Sequence, residues 1–234
     1  LWDTSLYLQT ADDTYTAQTG FGAATQGPGG FVDGKTTAGD SYCFVSSPAQ
    51  SMTISTSDIV TVISDADFPA STTGTPTFLD GYVFVASAVS GQTRRIHNSA
   101  VGDETTWTAS GYIEAEEASG EIKGLVKHHK YIVALCADRI EFFRNAGIPA
   151  PNSPLQRDTQ YLNSIGCVNR ATVATVGDVT YFVGREDNGV TGVYKLEEFK
   201  ITKVSNPSVD AIMNIYGGVG LNFGSGQTFT INGT

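Results

Sequence analysis

Asp80-Gly81-Tyr82-Val83-Phe84-Val85 sets the pattern of this chain: a tight-turn dipeptide, then an aromatic-led apolar run. The run is too short for a helix and rich in β-branched and aromatic residues, which suit a pleated surface. The same device recurs at Tyr42-Cys43-Phe44-Val45, Tyr131-Ile132-Val133-Ala134 and Tyr181-Phe182-Val183-Gly184, the leading tyrosines lying 40, 49 and 50 positions apart. His129-Lys130 and Gly177-Asp178 stand as turns before the third and fourth runs. A second strand is expected after each turn that follows, at Gln92–His97, at Arg139–Phe143 and at Gly192–Lys195. More polar strands are expected at Thr105–Thr108 and Lys200–Lys203.

A small sheet repeated at this period is the sequence mark of a β-propeller, because one small sheet cannot cover both of its faces alone. The fold class expected is therefore all-β, a propeller-like array of small antiparallel sheets, against a β-sandwich or barrel with coincidental spacing. Residues 1–38 read as a loop-rich arm with one strand at Ser5–Gln9, residues 39–213 as the blades, and residues 214–234 as a Gly-rich extension with a strand at Gln227–Ile231. A short helical turn is expected at Pro207–Asn214, with proline in its first turn.

Composition narrows the function classes. The formal net charge is −10, from 24 acidic and 14 basic residues, so no broad basic face is available to grip a phosphate backbone. Charged residues are only 16% of the chain, below the roughly 25% usual in soluble domains. No stretch approaches the roughly 18 apolar residues of a membrane span. The three cysteines, at 43, 136 and 167, form neither a disulfide framework nor a zinc-ligand spacing, and Cys43 and Cys136 read as small buried apolar residues. Leu1 in place of Met suggests processing or a segment of a longer chain.

Gly29-Gly30-Phe31-Val32-Asp33-Gly34-Lys35-Thr36 fits the phosphate-loop pattern, but no buried strand leads in and no helix leads out, so a turn between strands is expected. His128-His129 reads as an exposed hairpin turn, since neighbours on a strand point to opposite sides and do not share one ion. Carboxylates gather at Asp65 and Asp67, at Asp103-Glu104, and at Glu114, Glu116 and Glu117. Paired carboxylates are what glycoside hydrolysis needs, yet no apolar setting is visible that would separate their pKa values. No catalytic, cofactor or metal residues are assigned.

Other features carry a resemblance. Val62–Pro69, Thr77–Val85, Ser99–Trp107, Asp138–Gly147, Ile165–Cys167 and Val176–Arg185, in that order and at that spacing, resemble the packaged-DNA stabilisation proteins of short-tailed bacteriophages, the tail hub or nozzle proteins. The likeness runs from about Val60 to Met213; the first 58 residues and the tail after 214 lie outside it. It implies a non-enzymatic virion protein, made in the host cytoplasm, that forms a hexameric ring. Such a ring continues the DNA channel below the portal and adaptor proteins, retains packaged DNA and attaches tail fibre, spike or needle proteins. A conduit must not hold the duplex tightly, so an acidic lining is expected, with Glu114, Glu116 and Glu117 as the candidates. The competing reading is a carbohydrate-binding or carbohydrate-cleaving propeller used in host attachment, for which Trp2 and Trp107 are the available tryptophan platforms. A general interaction propeller lacks its periodic Trp-Asp signature here.

Overall fold

The computed structural model describes residues 7–11, 14–17, 30–48, 50–161, 163–215 and 226. Strands β1 (Tyr7–Ala11) and β2 (Thr14–Ala17) form an antiparallel hairpin. The first larger sheet holds β3 (Gly30–Lys35), β4 (Ser41–Ser46), β5 (Ser51–Ser55) and β6 (Val60–Val62). The second holds β7 (Thr72–Leu79), β8 (Tyr82–Ser87), β9 (Arg95–Ala100) and β10 (Asp103–Glu114). The third holds β11 (Ile122–His128), β12 (Tyr131–Cys136), β13 (Ile140–Asn145) and β14 (Leu155–Asp158). The fourth holds β15 (Ile165–Cys167), β16 (Ala174–Val176), β17 (Val179–Glu186), β18 (Thr191–Glu197) and β19 (Lys200–Lys203). Helix α1 (Pro207–Ile215) follows.

The first three of these sheets are antiparallel meanders in chain order, and the fourth differs only in that β15 and β16 both pair with β17. The four tyrosine-led runs become β4, β8, β12 and β17, each an interior strand of its sheet. Burial is continuous along β8 and β12 after the leading tyrosine, which explains their unbroken apolar sequences. It alternates along β4 and β17, so these strands bury one face more fully than the other. Asp80 and Gly81 both take positive φ, 51° and 87°, as a two-residue turn between β7 and β8 requires.

Two expected boundaries move. The first sheet begins at Gly30, inside the segment read as an arm, because β3 interrupts its apolar residues with glycine and charge and shows no apolar run. The strand after β8 starts at Arg95, since Gln92–Arg94 are spent on a turn closed by the Arg95 N–H on the Gln92 carbonyl at 2.9 Å. From Gly30 on, the phosphate-loop match lies along β3 and the turn after it, with no helix following; Gly29 lies outside the described residues. The helix at Pro207 extends to Ile215; Asn206 caps it by accepting the Val209 N–H at 3.0 Å. Of the strand expected at Ser5–Gln9, Tyr7–Gln9 lie in β1, while Ser5, Leu6 and the strand expected at Gln227–Ile231 lie outside the described residues.

The described residues form two compact units, one with the first and second sheets and loop 145–155, the other with the third and fourth sheets and α1. Tyr42, Phe44, Val83, Val85 and Trp107 build the first core. Phe68 meets Trp107 edge-on at 4.8 Å, while the Trp107 indole N–H donates to the Glu104 carbonyl at 3.1 Å. Val133, Leu135, Ile140, Phe142, Cys167, Phe182, Tyr194 and Leu196 build the second.

Candidate functional site

The segment carrying Glu114, Glu116 and Glu117 joins β10 to β11. Glu114 is the last residue of β10, in register with Arg95 on β9, and the two side chains form an ion pair at 2.7 Å. The Arg95 guanidinium also lies 4.2 Å from the centre of the Tyr112 ring. Beyond Glu114 the chain is pinned residue by residue to the unit of the third and fourth sheets. Ala115 and Ala118 are buried. The Ala118 N–H donates to Glu141 on β13 at 2.8 Å, and the Ser119 and Gly120 N–H groups donate to the two oxygens of Asp138 at 2.9 and 3.0 Å.

Arg157 on β14 closes this arrangement. Its guanidinium reaches Glu116 at 2.8 Å, Glu117 at 3.6 Å and Glu141 at 3.7 Å. The Glu141 side chain is only 1% exposed, and burial raises its carboxyl above the usual carboxylate range. Burial also pushes Asp138 up, but the hydrogen bonds from Ser119 and Gly120 outweigh it and hold Asp138 below the ordinary value. Glu116 stays 69% exposed and Glu117 less so. The loop is thus a fastened acidic strap: three carboxylates share one guanidinium, leaving an excess of negative charge at the surface. Arg157 lies 41 residues from Glu116 in sequence, so no local spacing pointed to it; Glu141 and Asp138 were visible only as parts of a strand and a turn.

The other candidates resolve into structural roles. One oxygen of Asp65 accepts the Trp107 N–H and the other the Asp67 N–H, both at 2.9 Å. Asp103 accepts from Thr105 and Thr106, which together overcome burial and lower its pKa. Trp107 is buried in the first core and offers no exposed stacking platform; Trp2 lies outside the described residues. The histidine pair departs from the expected exposed turn. His129 is exposed with φ +53°, but His128 is buried, its ring hydrogen-bonded to the Glu198 carbonyl and packed against Phe199. The two imidazole rings lie 4.5 Å apart, edge to face. Among the described residues no group of His, Cys, Asp and Glu is arranged to hold a metal ion. Cys136 is buried as expected, whereas Cys43 is half-buried, on the opposite face of β4 from Phe44.

A family model described as "Bacteriophage P22 Gp10, beta-propeller", for phage stabilisation proteins, matches residues 37–222, about four fifths of the chain. The chain belongs to this phage stabilisation family. The P22 Gp10 family is a β-propeller family, and the repeated antiparallel sheets agree with that fold. Membership makes the chain a phage structural protein of the virion. No curated protein matches it. Among solved structures, selenomethionine-substituted virginiamycin B lyase from Staphylococcus aureus is similar over 88% of this chain and 80% of that one, at 11% identity and a TM-score of 0.44. At that score the likeness carries no argument. No described helix is long and apolar enough to cross a membrane.

Proposed function

We propose that this protein is a nozzle or hub component of a short phage tail, built into a hexameric ring that continues the DNA channel below the portal and adaptor. The observation that carries this reading is the match to the P22 Gp10 family across residues 37–222. In this role the protein makes and breaks no bond; it helps retain packaged DNA and offers a seat for tail fibre, spike or needle proteins. The acidic strap supports it. Glu116 and Glu117 share Arg157 and present excess negative charge on backbone held by Glu141 and Asp138, whereas Glu114 is neutralised by Arg95. A wall of this kind repels phosphate and lets the duplex slide.

The test uses DNA-filled phage heads that lack this protein. Adding the purified protein is expected to make their DNA resistant to nuclease, and electron microscopy is expected to show a six-fold ring at the portal vertex. Heads that stay nuclease-sensitive with no added density would overturn the proposal.

A further inference from the structure

Helix α1 is turned the opposite way from an ordinary surface helix. Its polar side is fastened to the protein. Asp210 takes an ion pair from Lys203 at 2.8 Å and a hydrogen bond from Ser205. Asn214, one turn later on the same face, accepts the Thr191 N–H at 3.1 Å. Ile212 is two residues from each, so it projects about 200° away from the fastened face. It is 57% exposed, and Val209 and Ile215 beside it are 39% and 78% exposed. No residue of the helix is buried. The outward face, Ser208, Val209, Ala211, Ile212 and Ile215, carries no charge. Amphipathic helices place the apolar stripe against a partner surface, and among the described residues this stripe stays exposed.

The other unit holds a matching recess. An open cleft of about 580 Å³ lies at the β3–β4 hairpin, with Tyr42, Cys43, Ile54 and Phe78 among its walls and Asp33 and Lys35 at its sides. Its size is in the range of about 300–1,000 Å³ that binding pockets use. The Tyr42 hydroxyl in its wall is buried without a hydrogen-bond partner. A chain of net charge −10 repels its own copies, so contact between copies is favoured where charge is absent or balanced. The uncharged helix face and a cleft flanked by one acid and one base meet that condition.

The geometry points to a head-to-tail contact in which Ile212 and Ile215 of one copy enter the Tyr42–Ile54 cleft of the next. This deepens the ring assembly proposed above and rests on it. A protruding apolar patch and a separate complementary pocket on the same chain make a heterologous interface, which yields a closed ring when the rotation closes.

The experiment is sedimentation of the whole protein with two variants. The double variant Ile212→Asp, Ile215→Asp disables the helix face. Thr56→Trp blocks the cleft from an exposed position in its wall. Both altered sites are exposed, so thermal melting is expected to match the parent and to certify folding. The parent is expected to self-associate, and each variant alone to lose at least tenfold in association. An equimolar mixture is expected to form a heterodimer, since one intact helix face meets one intact cleft. Val101→Asp, in an equally exposed turn, is expected to leave association unchanged. A parent monomeric up to about 100 μM, variants that associate like the parent, a Val101→Asp loss of the same size, or a mixture that stays monomeric would each overturn the contact. A ring that protects DNA in heads yet ignores both variants would sink this interface and leave the nozzle reading standing; heads left unprotected by a protein that passes the mixing test would do the reverse.

Discussion

His97→Leu is expected to remove a pH dependence from the stability of the first unit. His97 lies on β9, is 5% exposed, and neither ring nitrogen has a hydrogen-bond partner. Its ring packs on Tyr112, over whose ring lies the Arg95 guanidinium, itself paired to Glu114. Burial, with a smaller contribution from Arg95, lowers its pKa from 6.5 to about 4. Above pH 6.5 the imidazole is neutral whether the chain is folded or unfolded, and the site carries no penalty. Between pH 6.5 and 4 the unfolded chain takes up a proton that the folded chain refuses, so stability falls with pH. At about 1.36 kcal/mol per pKa unit, the loss is about 3 kcal/mol by pH 4. Leucine carries no proton and no orphaned nitrogen, so the variant is expected within about 1 kcal/mol of the parent at pH 7. Urea unfolding at pH 7, 5.5 and 4 measures both proteins, and the carboxylates that titrate in both cancel in the difference. The variant is expected to become the more stable protein by about 3 kcal/mol at pH 4. Curves that run parallel from pH 7 to pH 4 would refute the reasoning.

Arg157→Met leaves the buried Glu141 carboxylate without its cation, and a loss of about 3 kcal/mol at pH 7 is expected in chemical unfolding. Because burial already raises the Glu141 pKa, that loss is expected to shrink as the pH falls and the carboxyl takes up a proton. Gly166→Ala drives a methyl to 2.0 Å from the Ala137 carbonyl oxygen, backbone that cannot move aside, so a loss of about 2–3 kcal/mol is expected in urea unfolding. Asn206→Ala removes the cap on Val209 and is expected to cost about 1 kcal/mol, seen as faster amide exchange in α1.

Much of the fold was legible because it follows from local rules. The four tyrosine-led runs became interior strands, since β-branched and aromatic residues in short apolar stretches serve little else. Asp80-Gly81 was readable as a hairpin because few dipeptides accept two positive φ angles. Pro207 marked the helix for an equally local reason, whereas the Asn206 cap was not read from the sequence. Strand β3 escaped notice because its glycine and charged residues hide the period, and only pairing with β4 makes it a strand. His128 looked exposed because the contacts that bury it come from Glu198 and Phe199, about 70 residues away.

The acidic strap divides in the same way. Sequence alone supplied Glu114, Glu116 and Glu117 and the surplus of negative charge, because charge is a property of composition. Only the tertiary structure supplied Arg157, Glu141 and Asp138, because ion pairing and burial depend on which strands come together. The outward face of α1 was likewise undecided by its spacing: a helix has two sides, and the bonds of Asp210 and Asn214 to sheet residues determined which one meets the protein.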